Sequence, residues 1–199
     1  MSSISFLIPQ LVIWLLSLVS VTLSLYILLL NPSHPANRHT GGLLALLAVL
    51  GYAVGLLTGV TQASQATAAT MILASTIPAL QPALAVVIIV LLKPEWLKRK
   101  WRWGIGFLYV LGVLPLLLTV IDVTLGTRLW YTGLSSADYE GGFVQLGEYA
   151  AGSLSGLVRA FVLYFPLPIS LSVSFYVGAR DETATPSNRR LAWILLVTM

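Results

Sequence analysis

Five stretches of this chain are apolar and almost free of charge, and each is close to or beyond the roughly 20 residues that a helix needs to cross the hydrocarbon core of a bilayer. They cover about 4–30, 41–60, 67–92, 104–125 and 149–177. Lipid offers no hydrogen-bond partners, so a lone segment of this kind crosses it only as an α-helix, which satisfies its own backbone groups. Composition points the same way. Of the 199 residues, 57% are hydrophobic and 9% charged, whereas ordinary globular chains carry roughly a quarter charged residues. Too few polar side chains remain to clothe a water-facing surface, which excludes a soluble enzyme, a nucleic-acid binder and a secreted disulfide scaffold. Cysteine is absent, and with it disulfides, thiolate metal sites, cysteine nucleophiles and palmitoyl anchors.

The first run has no basic leader, too long a core and no small-x-small site after it, so it reads as a retained span, not a signal peptide. It ends at the turn-forming Asn31-Pro32-Ser33-His34-Pro35. Orientation follows from lysine and arginine. With the N-terminus outside, the cytoplasmic connections hold Arg38, then Lys93, Lys98, Arg99, Lys100 and Arg102, then Arg180, Arg189 and Arg190, nine of the eleven basic residues. The positive-inside rule selects that arrangement. The net charge of +4 therefore reflects loop asymmetry and gives no reason to expect a nucleic-acid partner. A last apolar piece, 191–199, would reach only about 13 Å as a helix, so it reads as the start of a sixth span in a chain that continues, the alternative being a short interfacial anchor. The expectation is an all-α, polytopic membrane helix bundle, a single unit over 1–199 with five full transmembrane helices and the start of a sixth. Its predicted home is a bacterial cytoplasmic (inner) membrane.

Small residues govern helix contact in lipid, where apolar side chains gain little by exchanging one apolar neighbour for another. Gly51, Gly55 and Gly59 recur every four residues in the second span, as do Gly152, Gly156 and Ala160 in the fifth. Each set predicts a packing seam, with the other set or with another subunit. Prolines fall inside the spans at Pro78, Pro82, Pro115, Pro166 and Pro168, and each removes a donor and frees a carbonyl. The pair flanking Gln81 makes the third span the one expected to break or bend, around either a cavity, a hinge or a static kink. After that span, Trp96, Lys98, Arg99, Lys100, Trp101 and Arg102 interleave rings with cations, the composition of a headgroup layer, so membrane lipids are predicted partners.

Catalytic chemistry is harder to find. No nucleophile elbow, zinc-helix motif, phosphate-cradling loop or dinucleotide fingerprint occurs. His34 and His39 sit beside prolines in the first connection without a carboxylate nearby, so neither a metal nor a cofactor is predicted. Two ionisable residues lie within or beside spans, Asp122 and Arg159, and charge in hydrocarbon usually faces a cavity or a partner. Together with Glu148, and roofed by Trp130, Tyr131 and Tyr139, they could line an outward-facing pocket for a small polar or anionic ligand. The plainer alternative is that Arg159 snorkels to the headgroups and Asp122 is a helix-end residue.

With these features in place, the chain resembles the N-terminal seven-helix membrane sensor region of bacterial histidine kinases and of some diguanylate cyclases. The resemblance rests on Leu30-Asn31-Pro32-Ser33-His34-Pro35-Ala36-Asn37-Arg38, the glycine-rich second span and Ile77-Pro78-Ala79-Leu80-Gln81-Pro82. The basic tryptophan-bearing connection and Thr185-Pro186-Ser187-Asn188-Arg189-Arg190 also carry it. It implies sensing in the membrane or at its outer face, with output through a last helix to a cytoplasmic transmitter. The chain lacks the family's last helices, phospho-accepting histidine and nucleotide-binding motifs, so no kinase residue carries over. The expected function is a noncatalytic sensing or input module. Its rivals are an accessory subunit of a respiratory or photosynthetic complex and, third, a small-solute transporter; other membrane subunits or a homodimer partner are the predicted protein contacts.

Overall fold

The computed structural model describes residues 4–58, 63–98, 102–130, 139–140, 143–144 and 152–198. Four apolar runs form continuous helices, α1 (Ile4–Leu30), α2 (Pro35–Thr58), α3 (Ala63–Leu92) and α4 (Arg102–Leu125). The fifth span is composite: α5 (Ser155–Arg159), a π-helical turn (Ala160–Tyr164), α6 (Pro166–Phe175) and a second π turn (Tyr176–Arg180), followed by α7 (Pro186–Thr198). A 3₁₀ turn, Pro94–Lys98, leads from α3 towards α4. In the long fourth connection Tyr139–Glu140 pairs antiparallel with Phe143–Val144. Among the described residues, five helical stretches are long and apolar enough to cross a membrane, Ile8–Leu30, Pro35–Thr58, Gln65–Leu92, Arg102–Leu125 and Ser155–Arg180. The protein is a multi-pass, all-α membrane bundle.

Helix ends depart from the apolar runs for local reasons. Proline is tolerated in a first turn, where its missing N–H has no intrahelical partner, so α2 begins at Pro35 and α7 at Pro186. His39, expected in a connection, consequently lies on α2. At the start of α7 the Thr185 hydroxyl accepts from the Asn188 N–H at 3.2 Å, an N-terminal cap. α4 stops before Gly126, whose φ of 65° continues no right-handed helix.

α3 is the central element. In its apolar window 61% of residues are buried, against 6% in α1. α2, α4 and α6 pack on α3, and α1 packs on α2. Small residues and hydroxyls draw the α1–α2 pair together: Ser17 donates to the Ala48 carbonyl at 2.6 Å and Ser24 to the Gly41 carbonyl at 2.7 Å. A Cβ on Gly51 would stand 3.3 Å from Ser17 Cβ, and one on Gly55 would run into the Trp14 indole. The glycine seam of the second span thus faces α1 and not the fifth span; Gly59 lies outside the described residues.

The fifth-span set does not form one stripe. Gly152 precedes the helix, a Cβ on Gly156 would meet open space, and Ala160 is exposed in the first π turn. The span starts only at Ser155, so Gly152 is not on it, while the Ala160 N–H donates to the Gly156 carbonyl and keeps those two in helical phase on an exposed face.

Proline also acts where the sequence did not place the break. α3 runs unbroken through Pro78 and Pro82, while the fifth span is the irregular one. Pro78 deprives the Ala74 carbonyl of its intrahelical donor, and the Trp130 indole N–H supplies a replacement at 3.2 Å. In the fifth span Pro166 and Pro168 withhold donors from the Val162 and Tyr164 carbonyls, and the backbone just before them widens into a π turn. Such turns are rare and are frequently found at functional sites.

Candidate functional site

Polar side chains gather at both ends of α3. At the end that charge asymmetry assigns to the outside, Asp122 closes the last turn of α4 and is buried. Its carboxylate accepts from the Thr127 hydroxyl at 2.6 Å, the Leu129 N–H at 2.8 Å and the Trp130 N–H at 2.7 Å. The chain is thereby folded back on itself, and the Trp130 ring enters the bundle beside Ala74, Leu111, Leu118, Val158 and Val162. Residues 128–130 then hold the approach to the fifth span. The N–H groups of Gly152, Ser153 and Leu154 donate to the carbonyls of Trp130, Arg128 and Leu129 at 3.2, 3.0 and 2.8 Å. Gly152 is required there because a Cβ would collide with the Leu129–Trp130 backbone.

At the opposite end Lys93, just beyond α3, forms an ion pair with Asp181, just beyond the second π turn, and a second with Glu95 at 3.1 Å. Lys93 and Asp181 are both buried, while Glu95 is exposed. Asp181 is aimed by the π turn itself, since its N–H donates to the Tyr176 carbonyl five residues back at 2.9 Å. Its carboxylate also accepts from the Thr183 N–H at 3.0 Å and the Thr183 hydroxyl at 2.7 Å. Its carbonyl accepts from the Arg189 guanidinium of α7 at 2.9 Å. Trp193 of α7 covers Gly178, where a Cβ would lie 3.2 Å from the indole. The clamp therefore binds the end of α3, the end of the fifth span and the start of α7 at one point.

Electrostatics follow from this geometry. Burial lowers the Lys93 pKa, but hydrogen bonds to Asp181 and Glu95 together outweigh it and hold the ammonium above its usual value. Hydrogen bonds from Lys93 and then Thr183 hold the Asp181 carboxyl below its usual value.

Among the described residues, two of the apolar clefts lie between helices. One, of about 310 Å³, lies between α2, α3 and α4 beside Pro82, with Ser75 and Thr76 on its wall; Ser75 also donates to the Thr119 hydroxyl of α4 at 3.1 Å. The other, of about 360 Å³, lies nearer the Lys93 end between α3, α4 and α6. At that same end the Tyr109 hydroxyl of α4 hydrogen-bonds His39 Nδ1 of α2.

Of the residues that the sequence grouped into an outer pocket, Asp122 and Trp130 meet, through the Trp130 main-chain N–H. Arg159 ends α5 and is partly buried. Tyr131 and Glu148 lie outside the described residues. In the headgroup set Trp96 is partly buried on the 3₁₀ turn, and Arg102 is exposed with its guanidinium 5.7 Å from the Trp103 ring centroid; Lys98 ends the 3₁₀ turn, and Arg99, Lys100 and Trp101 are outside the described residues. The sequence reading missed the Lys93–Asp181 clamp. Its signal was a pair of carboxylates, Asp181 and Glu182, placed directly at a span end in a connection that also holds three arginines.

The chain matches no family model, no curated protein and no solved structure.

Proposed function

We propose that this membrane protein is a noncatalytic sensing module, the input region of a bacterial signalling protein, with the Lys93–Asp181 clamp as its output joint. The clamp carries the reading because it ties the most buried helix to the most irregular span and, through Arg189, to α7. A shift of the fifth span against α3 changes the geometry at Asp181 and is delivered to α7. The resemblance to sensor regions of histidine kinases supports the same direction of output.

The test uses fusion of the chain to the dimerisation and kinase segment of a membrane histidine kinase. Lys93→Met and Asp181→Asn should each change basal autophosphorylation at equal membrane expression. Wild-type output from both variants would sink the reading. A second reading, an accessory subunit of a larger complex, draws on α1, which is exposed except along α2. Stoichiometric partners retained in mild detergent through the exposed α1 face would favour it.

A further inference from the structure

The cleft near the Lys93 end has walls from Ile89 of α3, Trp96 of the 3₁₀ turn, Ile105 and Leu108 of α4, and Ile169 and Tyr176 of the fifth span. Carbon dominates this lining. Water finds too few partners in such a space, since a buried water typically makes about three hydrogen bonds, whereas an acyl chain gains dispersion contacts along its whole length. The cleft opens at the interfacial end of α3, where lipid chains begin.

Charge at the mouth selects among lipids. Arg102, exposed in the first turn of α4, stands three residues before Ile105, which places both on one helix face. The connection from Lys93 to Trp103 carries Lys93, Lys98, Arg99, Lys100 and Arg102 against a single Glu95. Lys93 is engaged by Asp181, which leaves Arg102 as the described cation on the cleft's own face.

We propose that this cleft binds one anionic phospholipid of the cytoplasmic leaflet, an acyl chain between α4 and α6 and the phosphate at Arg102. Tyr176 lines the cleft and opens the second π turn, with its ring 6.0 Å from Lys93 Nζ. The bound chain therefore buttresses the turn that aims Asp181. The site stands whether or not the chain signals.

The experiment reconstitutes the full chain in phosphatidylcholine vesicles containing a small fraction of chain-brominated phosphatidylglycerol or chain-brominated phosphatidylcholine. Quenching assigned to Trp96, by difference from Trp96→Phe, should be several-fold stronger with the brominated phosphatidylglycerol. Arg102→Gln should equalise the two lipids, and Ser172→Phe, which fills the cleft from α6, should reduce both signals. Equal quenching by the two lipids in the wild type overturns the proposal, as does a folded Ser172→Phe that quenches like the wild type. Native mass spectrometry from an equimolar mixture gives a second readout that needs no cleft-filling variant. One retained phosphatidylglycerol, lost in Arg102→Gln, supports the site, and no preference over phosphatidylcholine overturns it.

Discussion

At the Asp122 end of the bundle a carboxylate takes hydrogen bonds from a hydroxyl and two main-chain N–H groups within eight residues of itself, whereas at the Lys93 end a carboxylate held locally by Thr183 also meets an ammonium from the end of a distant helix. Main-chain donors cannot change partner unless the turn that carries them unfolds. A lysine on four methylenes can, and here it already has a second carboxylate in Glu95. The first arrangement fixes a fold; the second can be displaced while the helices stay intact. The difference separates a fixed clasp from a displaceable one, although both ends use an aspartate, Asp122 in the last turn of α4 and Asp181 just past the second π turn.

The contrast breaks most visibly at Trp130. Trp130→Ala should cost about 3 kcal/mol in detergent unfolding, because packing and the lost cap on the Ala74 carbonyl set the cost in lipid more than transfer from water does. Trp130→Phe isolates the orphaned carbonyl and should cost about 1–3 kcal/mol. Asp122→Asn keeps the shape but sets an amide against donors, and about 1.5–3 kcal/mol should be lost; an unchanged unfolding midpoint would remove the outer clasp from the account. Gly152→Ala forces the Leu129–Trp130 backbone aside and should cost about 1–3 kcal/mol.

At the other end a double-mutant cycle with Lys93→Met and Asp181→Leu should give a coupling of about 1 kcal/mol, the double variant losing that much less than the sum of the two single ones. Additive losses would mean that the pair does not act as a unit. The smallest effect expected is with pH. Asp181, with its pKa lowered, contributes stability above its ordinary value of 3.8 and loses it as pH falls through the lowered one. Lys93, with its pKa raised, contributes below its ordinary 10.5 and loses it only as pH rises through the raised one. The clamp should therefore hold evenly between those two values, and a break near neutrality in a spectroscopic distance from α3 to α7 would contradict it.

The spans were legible because lipid leaves so few solutions to an uncharged chain. Their ends were less so: Pro35, Arg102 and Pro186 extend helices into polar sequence, where hydropathy no longer reports. Proline positions were legible, but their consequences were set by distant partners. Trp130 lies far along the chain from the carbonyl that it satisfies, while Pro166 and Pro168 are accommodated by a change of helix type. Asp122 stood out as a costly charge, yet its partners include main-chain groups that no residue type announces. Lys93 and Asp181 were each visible, but nothing in their spacing joins them until α6 packs on α3.

The length of α3 adds a constraint from outside the protein. Its apolar part, Gln65–Leu92, has 28 residues and rises about 42 Å as a helix, against a hydrocarbon core of about 30 Å. Standing upright would push the excess into the headgroups, so the helix leans, bends or thickens the lipid around it. Because α2, α4 and α6 all rest on α3, its adjustment becomes theirs, and bilayer thickness is one of the variables that set the angle between α3 and the fifth span.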